Sequence, residues 1–243
     1  MALPENPTAD ISSLLFSRDP QLISLVGEVL KTLNMNVTNC DLAREAVQKL
    51  SSTKFDLIIV DNADAPGAVV VLAAAKSLPS CVRAIGIVLA VSANSIGLAE
   101  GAQSHMVIYR PLSPDRLRNG IKSALGLRTE AEDARESERT PINIPATLRG
   151  AGLEGTLAFI TNISAGGASL NVGHSIPPSC IQTVEFSLPD SSENLAASVE
   201  LVWRDVHGRM GIRFAGTSPT FNEGLQRWLT AYPATQRASK ANT

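Results

Sequence analysis

The sequence predicts two domains of different class: an α/β domain built on a five-stranded parallel sheet, followed by a small six-stranded β-barrel with a C-terminal helix. Three observations predict this. Residues 10 to 127 alternate short, unbroken apolar runs with longer stretches of helical periodicity, the pattern of strands covered by helices on both faces. Residues 141 to 214 change to short strand patterns punctuated by Gly- and Pro-rich turns. Between them lies a charged stretch, 128–140, with no apolar periodicity at all.

In the first half, Ser12–Phe16 is an apolar run followed by Arg18-Asp19-Pro20. Leu22, Leu25, Val26, Val29, Leu30 and Leu33 then recur at helical spacing over Gln21–Leu33. Asn36–Asn39 is a short strand, and Asp41 is positioned to cap a helix reaching Leu50. Asp56–Val60 is a continuous strand ending at Asp61. A helix over Ala68–Ser77, a strand over Ala84–Val91, a helix over Ser95–Gln103 and a strand over Met106–Tyr109 follow. Ser113 before Pro114 opens a last helix to Leu125, since proline suits the first helical position. In such sheets ligand chemistry gathers at the carboxyl ends of the strands, here Asp61, Ser92 and Arg110.

In the second half, Pro141 stops any helix near Thr140. The predicted strands are Ile142–Leu148, Gly155–Ile163, Ala168–Val172, Ile181–Leu188, Ala196–Trp203 and Arg209–Phe214. A helix from Pro219 to Leu229 would lay Phe221, Leu225, Trp228 and Leu229 against the barrel, and the polar stretch 233–243 is expected to be disordered.

Composition narrows the function classes. The net charge of −2 offers no global field for nucleic acid or anionic lipid, so any bound anion must be caught by a local cluster. Cys40, Cys81 and Cys180 are scattered and fit neither a zinc motif nor a disulfide framework. Ala84–Val91, the most apolar window, is too short to span a bilayer, and the first residues lack the basic and apolar regions of a secretion signal. A cytoplasmic protein without membrane insertion is expected. His105, His174 and His207 are isolated, and no nucleophile–base spacing, phosphate loop or metal triad stands out, so a binding protein is expected rather than an enzyme.

Two motifs in the second half carry a specific chemistry. Arg135-Glu-Ser-Glu-Arg139 precedes the first barrel strand, and Asn162-Ile-Ser164-Ala-Gly-Gly167 lies at a strand-to-strand turn. In this order, with Thr140-Pro141-Ile142 after Arg139 and with Val199–Trp203 and Gly211–Phe214 downstream, residues 132 to 232 resemble the PilZ domain family of cyclic di-GMP receptors. The resemblance implies a PilZ domain over 135–232 and a cyclic di-GMP site made by Arg135, Arg139, Asn162, Ser164 and Gly167. The chemistry is coherent. An arginine fork takes phosphate oxygens or the O6/N7 edge of guanine, and it stacks on purine faces. Asn162 and Ser164 supply short polar groups for guanine edges, and Gly167, assisted by Gly166, is expected to permit the backbone conformation of the turn. Because Arg135 and Arg139 lie on the linker, ligand binding there implies ordering of the linker and reorientation of the first domain. Glu136 and Glu138, set among the arginines, are expected to tune affinity.

The first half resembles the receiver domain of response regulators, a flavodoxin-like fold. Asp61 after Phe55-Asp-Leu-Ile-Ile-Val60 matches the phosphoacceptor, Ser92 the switch residue, and Tyr109-Arg110-Pro111-Leu112 the signature after the fifth strand. It departs from the family where function is decided. Ser17 and Arg18 stand in place of the acidic pair that holds magnesium, and Arg110 stands in place of lysine. The resemblance therefore implies a degenerate receiver, with Asp61 either a phosphoacceptor or a structural residue paired with Arg18 or Arg110, and with no metal. It also implies contacts to a protein partner or a second copy through Gly97–Gln103 and Pro114–Leu125. The leading expectation is a non-enzymatic cyclic di-GMP effector with no other cofactor and no nucleic-acid partner. The alternatives are a phosphorylation-responsive regulator acting through Asp61 and a PilZ-type adaptor that binds no ligand.

Overall fold

A computed structural model describes residues 11–91, 104–126, 140–173, 181–191 and 194–241. The chain divides into two compact units, Met1–Gly126 and Leu127–Thr243. The expected helix over Ser95–Gln103, and with it Ser92, Arg135 and Arg139, lies outside the described residues.

The first unit runs β1 (Ile11–Phe16), α1 (Pro20–Thr32), β2 (Met35–Cys40), α2 (Ala43–Ser52), β3 (Leu57–Asp61), α3 (Ala65–Ser77), a 3-10 turn (Pro79–Cys81), β4 (Ile85–Ala90), β5 (Met106–Tyr109) and α4 (Pro114–Leu125). All its strand pairings are parallel, in the order β2-β1-β3-β4-β5. This is the doubly wound, receiver-like order, whose switch point lies where β1 and β3 run side by side. Every residue of β3 is buried, as a strand covered on both faces requires.

The helix starts follow from local chemistry. The Asp19 carboxylate accepts from the Gln21 and Leu22 amides at 2.9 and 3.3 Å and starts α1. Asp64 accepts from Gly67 N at 3.1 Å to start α3, and Ser113 accepts from Arg116 N at 3.2 Å to start α4. Each satisfies an amide that has no partner inside its helix. The expected Asp41 cap is not formed. Leu42 occupies the capping position of α2 with no side-chain bond, and the Asp41 carbonyl instead accepts from Arg18 Nε at 2.9 Å.

The second unit is a closed antiparallel barrel of β6 (Thr140–Gly150), β7 (Leu153–Ser164), β8 (Gly167–Asn171), β9 (Thr183–Ser187), β10 (Asn194–Asp205) and β11 (Arg209–Ala215), followed by α5 (Pro219–Ala241). Around the barrel the order is β11-β8-β7-β6-β9-β10, and β10 pairs back to β11, which removes free sheet edges. Phe186, Phe214 and Phe221 meet at its core, with ring centroids 5.1 to 6.3 Å apart. As the helical spacing predicts, α5 seats Phe221 and Leu225 in this core, with Trp228 and Leu229 packed partly against it. Trp228 Nε1 donates to the Pro189 carbonyl at 2.9 Å, fixing the helix across the β9–β10 connection. The helix continues to Ala241, through the stretch expected to be disordered. That stretch opens on Pro233, a residue unfavourable inside a helix, but its three alanines with Gln236, Arg237 and Lys240 favour helix beyond it.

Candidate functional site

In the barrel, β7 and β8 form a hairpin with Ala165 and Gly166 at its turn, so that Ser164 pairs with Gly167, Ile163 with Ala168 and Asn162 with Ser169. Ser164 Oγ donates to the Gly167 carbonyl at 3.2 Å, closing the turn with a side chain the motif supplies. The Asn162 Oδ1 atom is buried and has no hydrogen-bond partner. A buried acceptor left unpaired costs about 1–3 kcal/mol.

The other side of β7 explains the distance between the two motifs in the sequence. Thr140, the residue after Arg139, pairs with Ile163, and Pro141 pairs with Asn162. The barrel ladder therefore brings the start of β6 against the stretch between Asn162 and Ser164. Arg135 and Arg139 themselves are outside the described residues.

The reason for glycine at 167 is not the one the turn suggests. Neither Gly166 nor Gly167 has a positive φ. A Cβ at Gly167 would instead lie 2.2 Å from the Ile212 carbonyl oxygen, so glycine lets β8 approach β11. Gly166 has open space around it, and its carbonyl accepts from Phe214 N at 3.0 Å. The same pairing places Arg213 opposite Gly167 and Glu200 opposite Arg213. Sequence reasoning read these two only as strand residues, because nothing in their spacing along the chain connects them to the turn.

At the switch point of the first unit, Asp61 is 2% exposed and its carboxylate is fully engaged. Oδ2 accepts from Ser17 Oγ at 2.9 Å. Oδ1 accepts from Ala63 N and from Arg110 Nη2, both at 3.0 Å. Of the two arginines expected as partners, Arg110 is the one that reaches Asp61. Arg18 turns outward to Asp64, at 3.4 Å. Arg110 also lies 3.9 Å from Asp19, whose other oxygen is committed to capping α1.

This arrangement does not fit the magnesium ion that the receiver fold implies. Magnesium requires near-octahedral oxygen donors. Here one buried carboxylate faces a hydroxyl and a guanidinium, so a cation already occupies the neighbourhood. Among the described residues no cluster of three His, Cys, Asp or Glu side chains could hold a metal, and no helix is long and apolar enough to cross a membrane.

Comparison with known proteins matches the second unit to a family. Residues 133–231 match the family described as PilZ domain. No curated protein matches the chain. Among solved structures, the chemotaxis response regulator CheY4 of Vibrio cholerae is 16% identical with a TM-score of 0.44, over 48% of this chain and 99% of that one. A CheY-like receiver domain protein from Methanospirillum hungatei is 20% identical with a TM-score of 0.42, over 53% of this chain and 99% of that one. YcgR from Escherichia coli, solved in complex with c-di-GMP, is 16% identical with a TM-score of 0.37; the match covers 43% of this chain and 48% of that one, about half its length. With its closed six-stranded barrel and Asn162–Gly167 hairpin, the region 133–231 is a PilZ domain, carried by this chain behind an α/β domain of receiver-like strand order.

Proposed function

We propose that this chain is a cytoplasmic, non-enzymatic cyclic di-GMP receptor. The ligand sits on the outer surface of the barrel at the β7–β8 hairpin, held by Asn162, Ser164 and the backbone at Gly167. Arg135 and Arg139 close over it from the stretch leading into β6. One observation carries this reading: Thr140, next in sequence to Arg139, pairs with Ile163, so the two halves of the motif enter one place on the barrel. The unpaired Asn162 Oδ1 supports it, as an acceptor ready for a guanine amino group or an arginine. Binding orders the 128–140 stretch, which changes the freedom of the α/β domain and its contacts with a protein partner or a second copy.

Within this reading Asp61 is a structural anchor. A phosphoacceptor must present a free oxygen beside a metal, whereas both Asp61 oxygens are engaged and a guanidinium takes the cation's place. Titration calorimetry with cyclic di-GMP tests the proposal. Arg135→Ala is expected to weaken binding by about ten- to a hundredfold, the equivalent of one lost bidentate contact, and Ser164→Ala by about five- to tenfold, the equivalent of one hydrogen bond. Equal heats from the wild type and both variants would remove the site.

A further inference from the structure

The barrel ladder sets four residues from four strands in one row: Ser164 on β7, Gly167 on β8, Arg213 on β11 and Glu200 on β10. Arg213 and Glu200 are exposed, while their neighbours Ile212, Phe214 and Val199 are buried, so the pair stands on the outer face of the barrel. Neighbouring strands lie about 4.8 Å apart, which puts Arg213 one strand from Gly167 and two from Ser164. Gly167 contributes no side chain to the row between Ser164 and Arg213.

Among the described residues that guanidinium is held by a single partner. Arg213 Nη2 forms an ion pair with Glu200 Oε2, and the two side chains are 49% and 51% exposed. The Arg209–Asp205 pair at the far end of β11 is differently built. There the carboxylate also accepts from the backbone amides of His207 and Arg209 and is 4% exposed, so it is locked into its turn. Among the described residues Glu200 makes no such second bond. Solvent-exposed ion pairs are worth about 0–1 kcal/mol, so a stronger anion can take Arg213 away, leaving Glu200 to water at small cost.

We infer that Arg213 is a third ligand-contacting arginine of this site and that Glu200 restrains it: on binding, Arg213 exchanges the Glu200 carboxylate for a phosphate oxygen of the cyclic dinucleotide. This rests on the proposed ligand site and adds to it an affinity-setting competition within the chain. Glu200 occupies the guanidinium, so it weakens binding by holding Arg213 back.

Titration calorimetry with cyclic di-GMP on the full chain tests this, with folding of each variant confirmed by thermal melting. Arg213→Gln is expected to weaken binding about tenfold, the loss of one charge-assisted hydrogen bond. Glu200→Gln is expected to tighten it up to about fivefold, the release of one surface ion pair. In the Arg213→Gln background the gain from Glu200→Gln should vanish, because Glu200 acts through Arg213. If both single variants bind like the wild type while Arg135→Ala binds weakly, Arg213 has no such role and the ligand site stands. If Glu200→Gln tightens binding equally with and without Arg213, the restraint is overturned in favour of a general field. If the wild type gives no heat, both readings fall.

Discussion

The two units each place polar groups at the end of strands, and they use them in opposite ways. At the switch point of the α/β unit, Asp61 is surrounded: a hydroxyl, a backbone amide and a guanidinium together satisfy both its oxygens. At the β7–β8 hairpin of the barrel, Asn162 Oδ1 is buried and, among the described residues, unsatisfied, and Arg213 is held there by an exposed carboxylate. A satisfied buried charge stabilises a fold and resists new chemistry. An unpaired buried polar atom costs stability, and the first unit also carries one, Arg110 Nε, beside the satisfied Asp61. The first site is closed on itself around Asp61, while the second leaves an acceptor unpaired and an arginine on an exposed carboxylate.

The comparison can be broken most sharply at Arg110. Arg110→Ala would leave the buried Asp61 carboxylate without its countercharge, and is expected to lower unfolding free energy by about 3 kcal/mol, measured by chemical denaturation. Adding Asp61→Asn should restore part of that loss, because the uncompensated charge is then gone. A stability change within about 0.5 kcal/mol for Arg110→Ala, the range of ordinary surface substitutions, would mean that Asp61 is not locked.

At the barrel the expected stability effect is smaller and of opposite sign. Asn162→Ala removes a buried acceptor that has no partner, so the free protein should be unchanged or more stable by about 1 kcal/mol, while affinity for cyclic di-GMP falls. Melting curves with and without ligand read both quantities from one preparation. A destabilised Asn162→Ala protein that binds normally would make Asn162 a structural residue like Asp61.

The smallest expected effect is none at all. Incubation with acetyl phosphate and magnesium should leave the intact mass of the protein unchanged, and magnesium alone should leave its melting temperature unchanged. A phosphoryl adduct of about 80 Da that disappears in Asp61→Asn would show that Arg110 and Ser17 yield to a metal, and would restore the α/β unit to a receiving role.

Much of this was legible along the chain because it depends on local pattern. Unbroken apolar runs such as Leu57–Val60 mark strands buried on both faces, and Ser113-Pro114 marks a helix start, so the strands described at β3 and β5 and the last helix of the first unit fall where they were expected. Caps were less legible. Asp41 and Asp64 are both aspartates ahead of a helix, but only Asp64 stands at the distance from which its carboxylate reaches an orphan amide. The polarity of 233–241 was misleading for a related reason, since polar residues with high helix propensity extend a helix that a packed turn has already nucleated.

By itself the sequence determined the two fold classes, the order of the motifs and the departure of Ser17 and Arg18 from the acidic pair that would hold a metal, because periodicity and residue type act over a few positions. Only the tertiary structure decided which arginine reaches Asp61, why residue 167 is glycine, and that Arg213 and Glu200 share a row with Ser164. Each of these depends on register between strands distant in sequence. A carbonyl of β11 rather than a turn angle excludes a side chain at 167, and a ladder across β7, β8, β11 and β10 gathers residues 164, 167, 213 and 200. Register is set by how whole strands pack around a core, which no local window of the chain contains.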